Sequence, residues 1–234
     1  MKKMKTYLWQ ITAKTNLHVG NENSTSYGII DKAVQRDVLT GLPCINSSSL
    51  KGAINEFCCS NGMVPGDRLE IFGSDKKGDL TDFRKGKAIF YDAQLLFLPV
   101  QDEGNLFTYA TSKSNMDYMK SRLELFGIQN INPIQFKGAG GRTYSKTWQR
   151  DDFEALCSDE NLPIIARNVL NNGQSQTLWY EQVVPAETIF YAVIQEPSDK
   201  LKKVIDGAVI QIGANATIGY GYCKFNLIAE CDEK

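Results

Sequence analysis

The chain has 234 residues, of which 42% are hydrophobic, and a formal net charge of −1. That length and composition suit one domain with insertions and a sizeable core, and no apolar run approaches the roughly eighteen residues of a membrane span. Near-neutrality counts against indiscriminate nucleic-acid binding, for which a basic domain is expected. Six cysteines without a C-x-x-C pair, and His18 as the single histidine, count against a four-ligand zinc site and against a Cys–His catalytic pair away from residue 18.

The N-terminus is basic, but polar residues interrupt it before a signal-peptide core can form, so a cytoplasmic protein with reduced cysteines is expected. Residues 1–60 carry seven Lys/Arg against four Asp/Glu, a local basic excess that can follow a phosphate backbone. Tyr7, Trp9, Ile11, Ala13, Leu17 and Val19 alternate with a more polar set that includes His18, which predicts a half-buried strand. The following loop, about 20–47, is too long for a plain connector. Asp31 within it follows Ile29-Ile30 and precedes Lys32 and Arg36. Such a carboxylate can hold a metal or take a proton from a hydroxyl. A turn cap or a pair with Arg36 is the plainer reading.

Leu50, Ala53, Ile54 and Phe57 make one helical face, with Ser47, Ser48 and Ser49 as cap types, so a helix is predicted to start near Ser49. Lys51 then opposes the helix dipole beside free backbone N–H groups, an arrangement that suits a phosphate. A solvated surface lysine is the alternative. Residues 61–87 are predicted to be an inserted loop and 88–100 one buried strand. A helix capped by Asn115 should bury Met116, Met119, Leu123 and Phe126. The glycine-rich, basic stretch 137–147 lacks a phosphate-loop context and is predicted to be a mobile surface loop. Around Asn172-Gly173, residues 164–184 predict a long hairpin with a projecting tip. Next come a buried strand at 187–195, a helix capped by Ser198, and a loop with Gly213, Gly219 and Gly221. The last strand should turn Cys223, Phe225, Leu227 and Ala229 inward. GYGYCKF half-matches the signature of the RNA-recognition motif, but too few residues follow it for that module.

The stretch GIIDKAVQRDVLTGLPCINSSSLKGAINEF, preceded by Leu17-His18-x-Gly20, resembles the RAMP superfamily of CRISPR proteins. Within it, the likeness is to the repeated backbone subunit of type III-B (Cmr) effector complexes. The family pattern runs L-H-x-G, I-D-x-x-x-Q-R, T-G-x-P-x-I-x-G-S-S-L-K-G, and this chain departs from it at Ser47, where glycine is usual. IFGS…GKAIFYDAQLL and, near the C-terminus, the glycine-rich I-G-x-N-x-T-I-G-x-G repeat the resemblance.

What the resemblance implies is specific. The fold would be α+β, a ferredoxin-like or RNA-recognition-like βαββαβ core in a single RAMP domain over 1–234. Its insertions would be loops at about 20–47 and 61–87, and a thumb hairpin at about 164–185 in which Arg167, Leu178, Trp179, Glu181 and Pro185 match the family layout. The subunit would bind guide RNA, stack with further copies of itself and with other RAMP subunits, and cut complementary single-stranded target RNA at regular intervals with Mg²⁺ or Mn²⁺; no membrane is involved. Asp31 would be catalytic and hold the metal, with His18 as a second catalytic residue. Arg36, Ser48, Ser49, Lys51, Arg167, Gly213, Asn215, Thr217, Gly219 and Gly221 would contact RNA. A non-catalytic RAMP scaffold and a stand-alone guide-processing endonuclease remain as alternatives.

Overall fold

The computed structural model describes residues 4–20, 30–74, 84–144, 147–172 and 174–232. Its frame is an antiparallel sheet in the order β2-β4-β8-β1-β10-β9, built from Cys44–Ile45, Ala93–Asp102, Ile189–Glu196, Lys5–Ala13, Tyr222–Asp232 and Val209–Gln211. Two further strands lie off this path: β3 (Ile89–Phe90) pairs β8, and β5 (Asn105–Ala110) pairs β4. The helices are α1 (Ser47–Ser60), α2 (Pro65–Phe72), α3 (Lys113–Leu125), α4 (Arg150–Leu156) and α5 (Lys200–Ile205). The remaining strands, β6 (Ile164–Asn171) and β7 (Gln174–Gln182), pair with each other as a separate two-stranded sheet.

The central strand β1 is buried on both faces, where alternation predicted one. Tyr7, Trp9, Ile11 and Ala13 join a core with Leu50, Ile54 and Cys58 of α1, while Leu8 joins a second core with Phe97, Tyr109, Met119 and Phe136. Its polar residues are covered because they find partners. Gln10 donates from Nε2 to Thr12 Oγ1 and to the Lys137 carbonyl, and its Oε1 accepts from Lys137 N–H. The stretch predicted to be a mobile loop therefore lies on the sheet as far as residue 144. At Gly138 a Cβ would fall 1.7 Å from the Tyr109 hydroxyl, so no larger residue fits without displacing that ring. Removing the side chain of Leu50, which is fully buried, should cost about 2–5 kcal/mol.

Several boundaries move for local reasons. β1 stops at Ala13, and in the segment that follows Leu17 and Val184 exchange two backbone bonds while the Asn16 and His18 carbonyls accept from Gly221 and Ala214 N–H. The 88–100 stretch breaks after Phe90, and Asp92 turns to accept from Ser47 N–H at 2.6 Å, which fixes the start of α1. Within the predicted 61–87 loop, Pro65 at the first turn starts α2; residues 75–83 lie outside the described ones. Ser112, and not Asn115, caps α3; the Asn115 amide instead donates to the Leu95 and Leu96 carbonyls. At α5 the Glu196 carboxylate accepts from Leu201 and Lys202 N–H, and the Ser198 hydroxyl has no partner. On β10, Cys223 and Phe225 are buried as predicted, but Leu227 and Ala229 are only partly so, because the pairing with β1 slips between Leu8 and Trp9.

Candidate nucleic-acid interface

Three distant parts of the chain meet at the base of the β6–β7 hairpin. The first is the loop segment after residue 30. Asp31 N–H and Lys32 N–H both donate to the Tyr180 carbonyl, Gln182 N–H donates to the Lys32 carbonyl, and Tyr180 N–H donates to Asp31 Oδ2 at 2.7 Å. Asp31 is thus an exposed carboxylate with one oxygen tied to β7. Lys32 reaches over the Trp179 ring, 5.2 Å from its centroid. Arg36 does not pair with Asp31. It donates to Asp159 Oδ1 from Nε and Nη2, and to the Gly41 and Cys157 carbonyls from Nη1, so most of its donors serve the fold.

The second part is the segment that carries His18. The alternation placed this residue on a polar face, yet it is only 3% exposed. Its Nδ1 lies 2.7 Å from the Gln182 carbonyl, which makes Nδ1 the donor and leaves Nε2 as an acceptor in the neutral ring. Asp31 and His18 therefore rest on neighbouring positions of one strand, Tyr180 and Gln182. Gln182 also accepts from Val34 N–H and donates to Asp159.

The third is the glycine-rich loop. Gly213 has φ +81°, and a Cβ there would lie 2.3 Å from the His18 carbonyl oxygen; Ala214 N–H donates to that same oxygen. Gly221, at φ +78°, is pressed in the same way against the Ile212 carbonyl. Glycine at these two positions is thus required by the protein's own packing. Gly219 (φ +83°) faces open space, and Thr217 is exposed in a short 3₁₀ turn. Asn215 donates to the buried Glu181 carboxylate, which also lies 3.7 Å from Arg167 Nε and 3.8 Å from His18 Nδ1. The Arg167 guanidinium stands 4.6 Å over the Tyr220 ring, and its buried Nε and Nη2 lack hydrogen-bond partners.

The serine-rich turn lies apart from this junction but touches its rim. The helix begins at Ser47, two residues earlier than predicted, and its cap residue Asn46 makes no side-chain capping bond. Ser49, Gly52 and Phe57 share a cleft of about 470 Å³ with Gln211 and Gly213. Asp92, already on the Ser47 N–H, was not foreseen in sequence because a carboxylate 45 residues away carries no local signal.

Among the described residues no group of three or more His, Cys, Asp and Glu side chains could hold a metal ion. A lone Asp31 carboxylate fits magnesium only in its usual manner with phosphate substrates, one protein oxygen with the other ligands from water and phosphate. All six cysteines are free, and burial pushes the thiols of Cys44, Cys58, Cys157 and Cys223 up to about 12, so none of these four is a nucleophile at neutral pH. Among the described residues, no helix is long and apolar enough to cross a membrane.

A sequence profile of the RAMP superfamily matches residues 10–224. The CRISPR system Cmr endoribonuclease Cmr4 of Pyrococcus furiosus is 26% identical over 288 aligned positions, covering 96% of both chains. The Cms endoribonuclease Csm3 of Streptococcus thermophilus is 24% identical across 92% of this chain and 84% of its own. The crystal structure of oligomeric Cmr4 from Pyrococcus furiosus superposes with a TM-score of 0.70 at 21% identity, covering 97% of this chain and 98% of the other. A type III-B Cmr-beta structure bound to cognate target RNA gives 0.71 at 21%, covering 95% and 97%.

Proposed function

Since the chain belongs to the RAMP superfamily, we propose that it is the guide-RNA-binding backbone subunit of a type III CRISPR effector complex and cuts complementary target RNA. The observation that carries this reading is the hairpin base, where an exposed aspartate, the histidine segment and the glycine-rich loop are tied to one strand. The antiparallel order β4-β8-β1-β10, with α1 after β1 and α5 after β8, supports a ferredoxin-like βαββαβ core within a single domain. The separate, largely exposed β6–β7 sheet supports a thumb that reaches over RNA toward the next copy. Head-to-tail stacking of this kind is a heterologous contact that extends as a filament. Specificity would rest on base pairing to the guide, with protein contacts to the backbone. The cytoplasm is the proposed location.

In the proposed reaction, a nucleotide splayed from the guide–target duplex places its 2′-hydroxyl in line with the adjacent phosphate, geometry that a continuous A-form helix denies. The 2′-oxygen attacks phosphorus as its proton passes to Asp31, the bond from phosphorus to the 5′-oxygen of the next nucleotide breaks, and that oxygen takes a proton from water, giving a 2′,3′-cyclic phosphate and a 5′-hydroxyl. Mg²⁺ or Mn²⁺, when bound at Asp31, would supply charge neutralisation at the phosphate. His18, buried with Nδ1 committed to Gln182, positions the loop. Ser48, Ser49, Lys51, Thr217 and Gly219 would contact the guide, and Arg167, Asn215, Gly213 and Gly221 would hold the loop that presents it.

Asp31→Asn tests the reading. The asparagine oxygen can still accept from Tyr180 N–H, so the loop should hold while the proton acceptor is lost. Target binding should persist and cleavage with Mg²⁺ or Mn²⁺ should fall about 10²–10⁴-fold. Cleavage at the parental rate removes Asp31 from the mechanism. Normal assembly with no cleavage by the parent protein would make the chain a scaffold, and metal-independent cutting of repeat RNA by the isolated chain would make it a guide-processing enzyme.

A further inference from the structure

Beside the first turn of α1 lies a cleft of about 600 Å³ lined by Ser47, Ser48, Lys51, Lys85, Gly86 and Lys87, with Ile89 and Phe90 at one side. The helix end itself is a poor anion site here. Asp92 already occupies the Ser47 N–H and sets a negative charge where the dipole would attract one. What remains to draw an anion is the set of three ammonium groups.

Two of these come from a segment the sequence marked only as loop, and it is held firmly. Lys87 N–H donates to the Glu70 carbonyl, Ala88 N–H to the Ile71 carbonyl, and Lys85 bridges Gly73. Gly86 between them lies so close to α2 that a Cβ would sit 2.4–2.6 Å from backbone atoms of Ile71 and Phe72. Lys85 and Lys87 line the same cleft, so this fixed backbone presents them together. Lys51 and Lys85 make no ion pair with any described residue. Lys87 bonds Glu70 Oε1 at 3.0 Å, but Lys200 holds the other oxygen of the same carboxylate at 3.2 Å. Lys87 can therefore turn to a phosphate without leaving Glu70 unpaired.

The geometry points to a phosphodiester track: this cleft takes two successive phosphates of single-stranded RNA, with Lys51, Lys85 and Lys87 as the cations. The inference rests on the RNA-binding reading above and extends it to Lys85 and Lys87. Contacts from these lysines to phosphate oxygens carry no sequence information, so the track is sequence-independent.

The test is fluorescence anisotropy of the full chain with a labelled 12-nucleotide RNA of mixed sequence, from 50 to 300 mM salt. Each neutralised phosphate of a single strand contributes about 0.7 to the slope of log affinity against log salt. Lys85→Ala and Lys87→Ala should each lower that slope by about 0.7, weaken binding several-fold at low salt, act equally on a scrambled sequence and be rescued by arginine. Melting temperatures should not move, since both side chains are exposed. If Lys51→Glu abolishes binding while the Lys85 and Lys87 variants match the parent in slope and affinity, the track is wrong and the RNA reading stands. If Lys51→Glu is also without effect, the RNA reading falls with it. Normal RNA binding with lost self-association would make the cleft a protein contact and overturn the proposal.

Discussion

Gly213→Ala separates two reasons for a glycine-rich loop. One is room for RNA, which leaves the free protein indifferent to a methyl group. The other is the approach of the loop to His18. The structure gives the second reason a magnitude. A φ of +81° costs an L-residue about 1–2 kcal/mol. A Cβ placed 2.3 Å from the His18 carbonyl oxygen and 3.0 Å from its carbon meets backbone on both counts, and overpacking of that kind costs about 1–3 kcal/mol. The sum, about 2–5 kcal/mol, corresponds to roughly 4–20 °C in Tm for a domain of this size. Gly219→Ala supplies the comparison, because φ is +83° but nothing lies within 4 Å of its Cβ. It carries the backbone term alone. Thermal melts by circular dichroism, without RNA, should place Gly213→Ala several degrees below Gly219→Ala, with faster amide exchange at Ala214. Coincident melting curves for the two variants would falsify the packing argument.

Asp37 offers a pH-resolved prediction. Burial pushes its pKa up, but bonds from Thr40 N–H, the Gln94 amide, the Thr40 hydroxyl and Leu39 N–H outweigh that and hold it below the ordinary carboxylate value. A depressed folded pKa adds stability above the unfolded value of about 3.9 that is lost as pH falls through the folded value. Asp37→Ala should therefore melt below the parent at pH 7, by about 1–3 kcal/mol of stability, and the gap should narrow as pH falls below the unfolded value of about 3.9; a gap independent of pH refutes the assignment. Replacing 169–178 by a tight Asn-Gly turn should leave Tm nearly unchanged, because a projecting tip buries little, and should retain guide binding while the regular spacing of cuts disappears. Global unfolding of that variant would place Trp179 and its neighbours in the core.

Local chemistry made much of the architecture legible. The hairpin followed from Asn172-Gly173, and Asn172 does take a positive φ of 49°. The α1 face followed from Leu50 and Ile54, and the buried character of β8 from its unbroken apolar run. What alternation could not show was a second cover over β1, since Gln10 and Thr12 read as solvent-facing until the Lys137 backbone is brought to Gln10, which in turn donates to Thr12. The same limit applied at the candidate site. Asp31, His18, Arg167 and Asn215 were singled out by motif, but their partners Tyr180, Gln182 and Glu181 are set by tertiary approach. Arg36 illustrates the converse, a motif residue whose position suggested Asp31 and whose guanidinium is taken by Asp159 instead.

The pairing of β1 also governs when this protein can fold. Its two neighbours are β8 and β10, with Lys5 opposite both Glu196 and Asp232, so the centre of the sheet joins segments some two hundred residues apart. On a ribosome adding about 5–20 residues per second, β1 waits on the order of ten seconds or more with two unsatisfied edges and Tyr7, Trp9 and Ile11 uncovered. Long-range antiparallel contacts of this kind also slow the search once the chain is free. The early strand is thus the segment most exposed to holdase chaperones and to misassociation between nascent chains, and slower synthesis lengthens that interval in proportion.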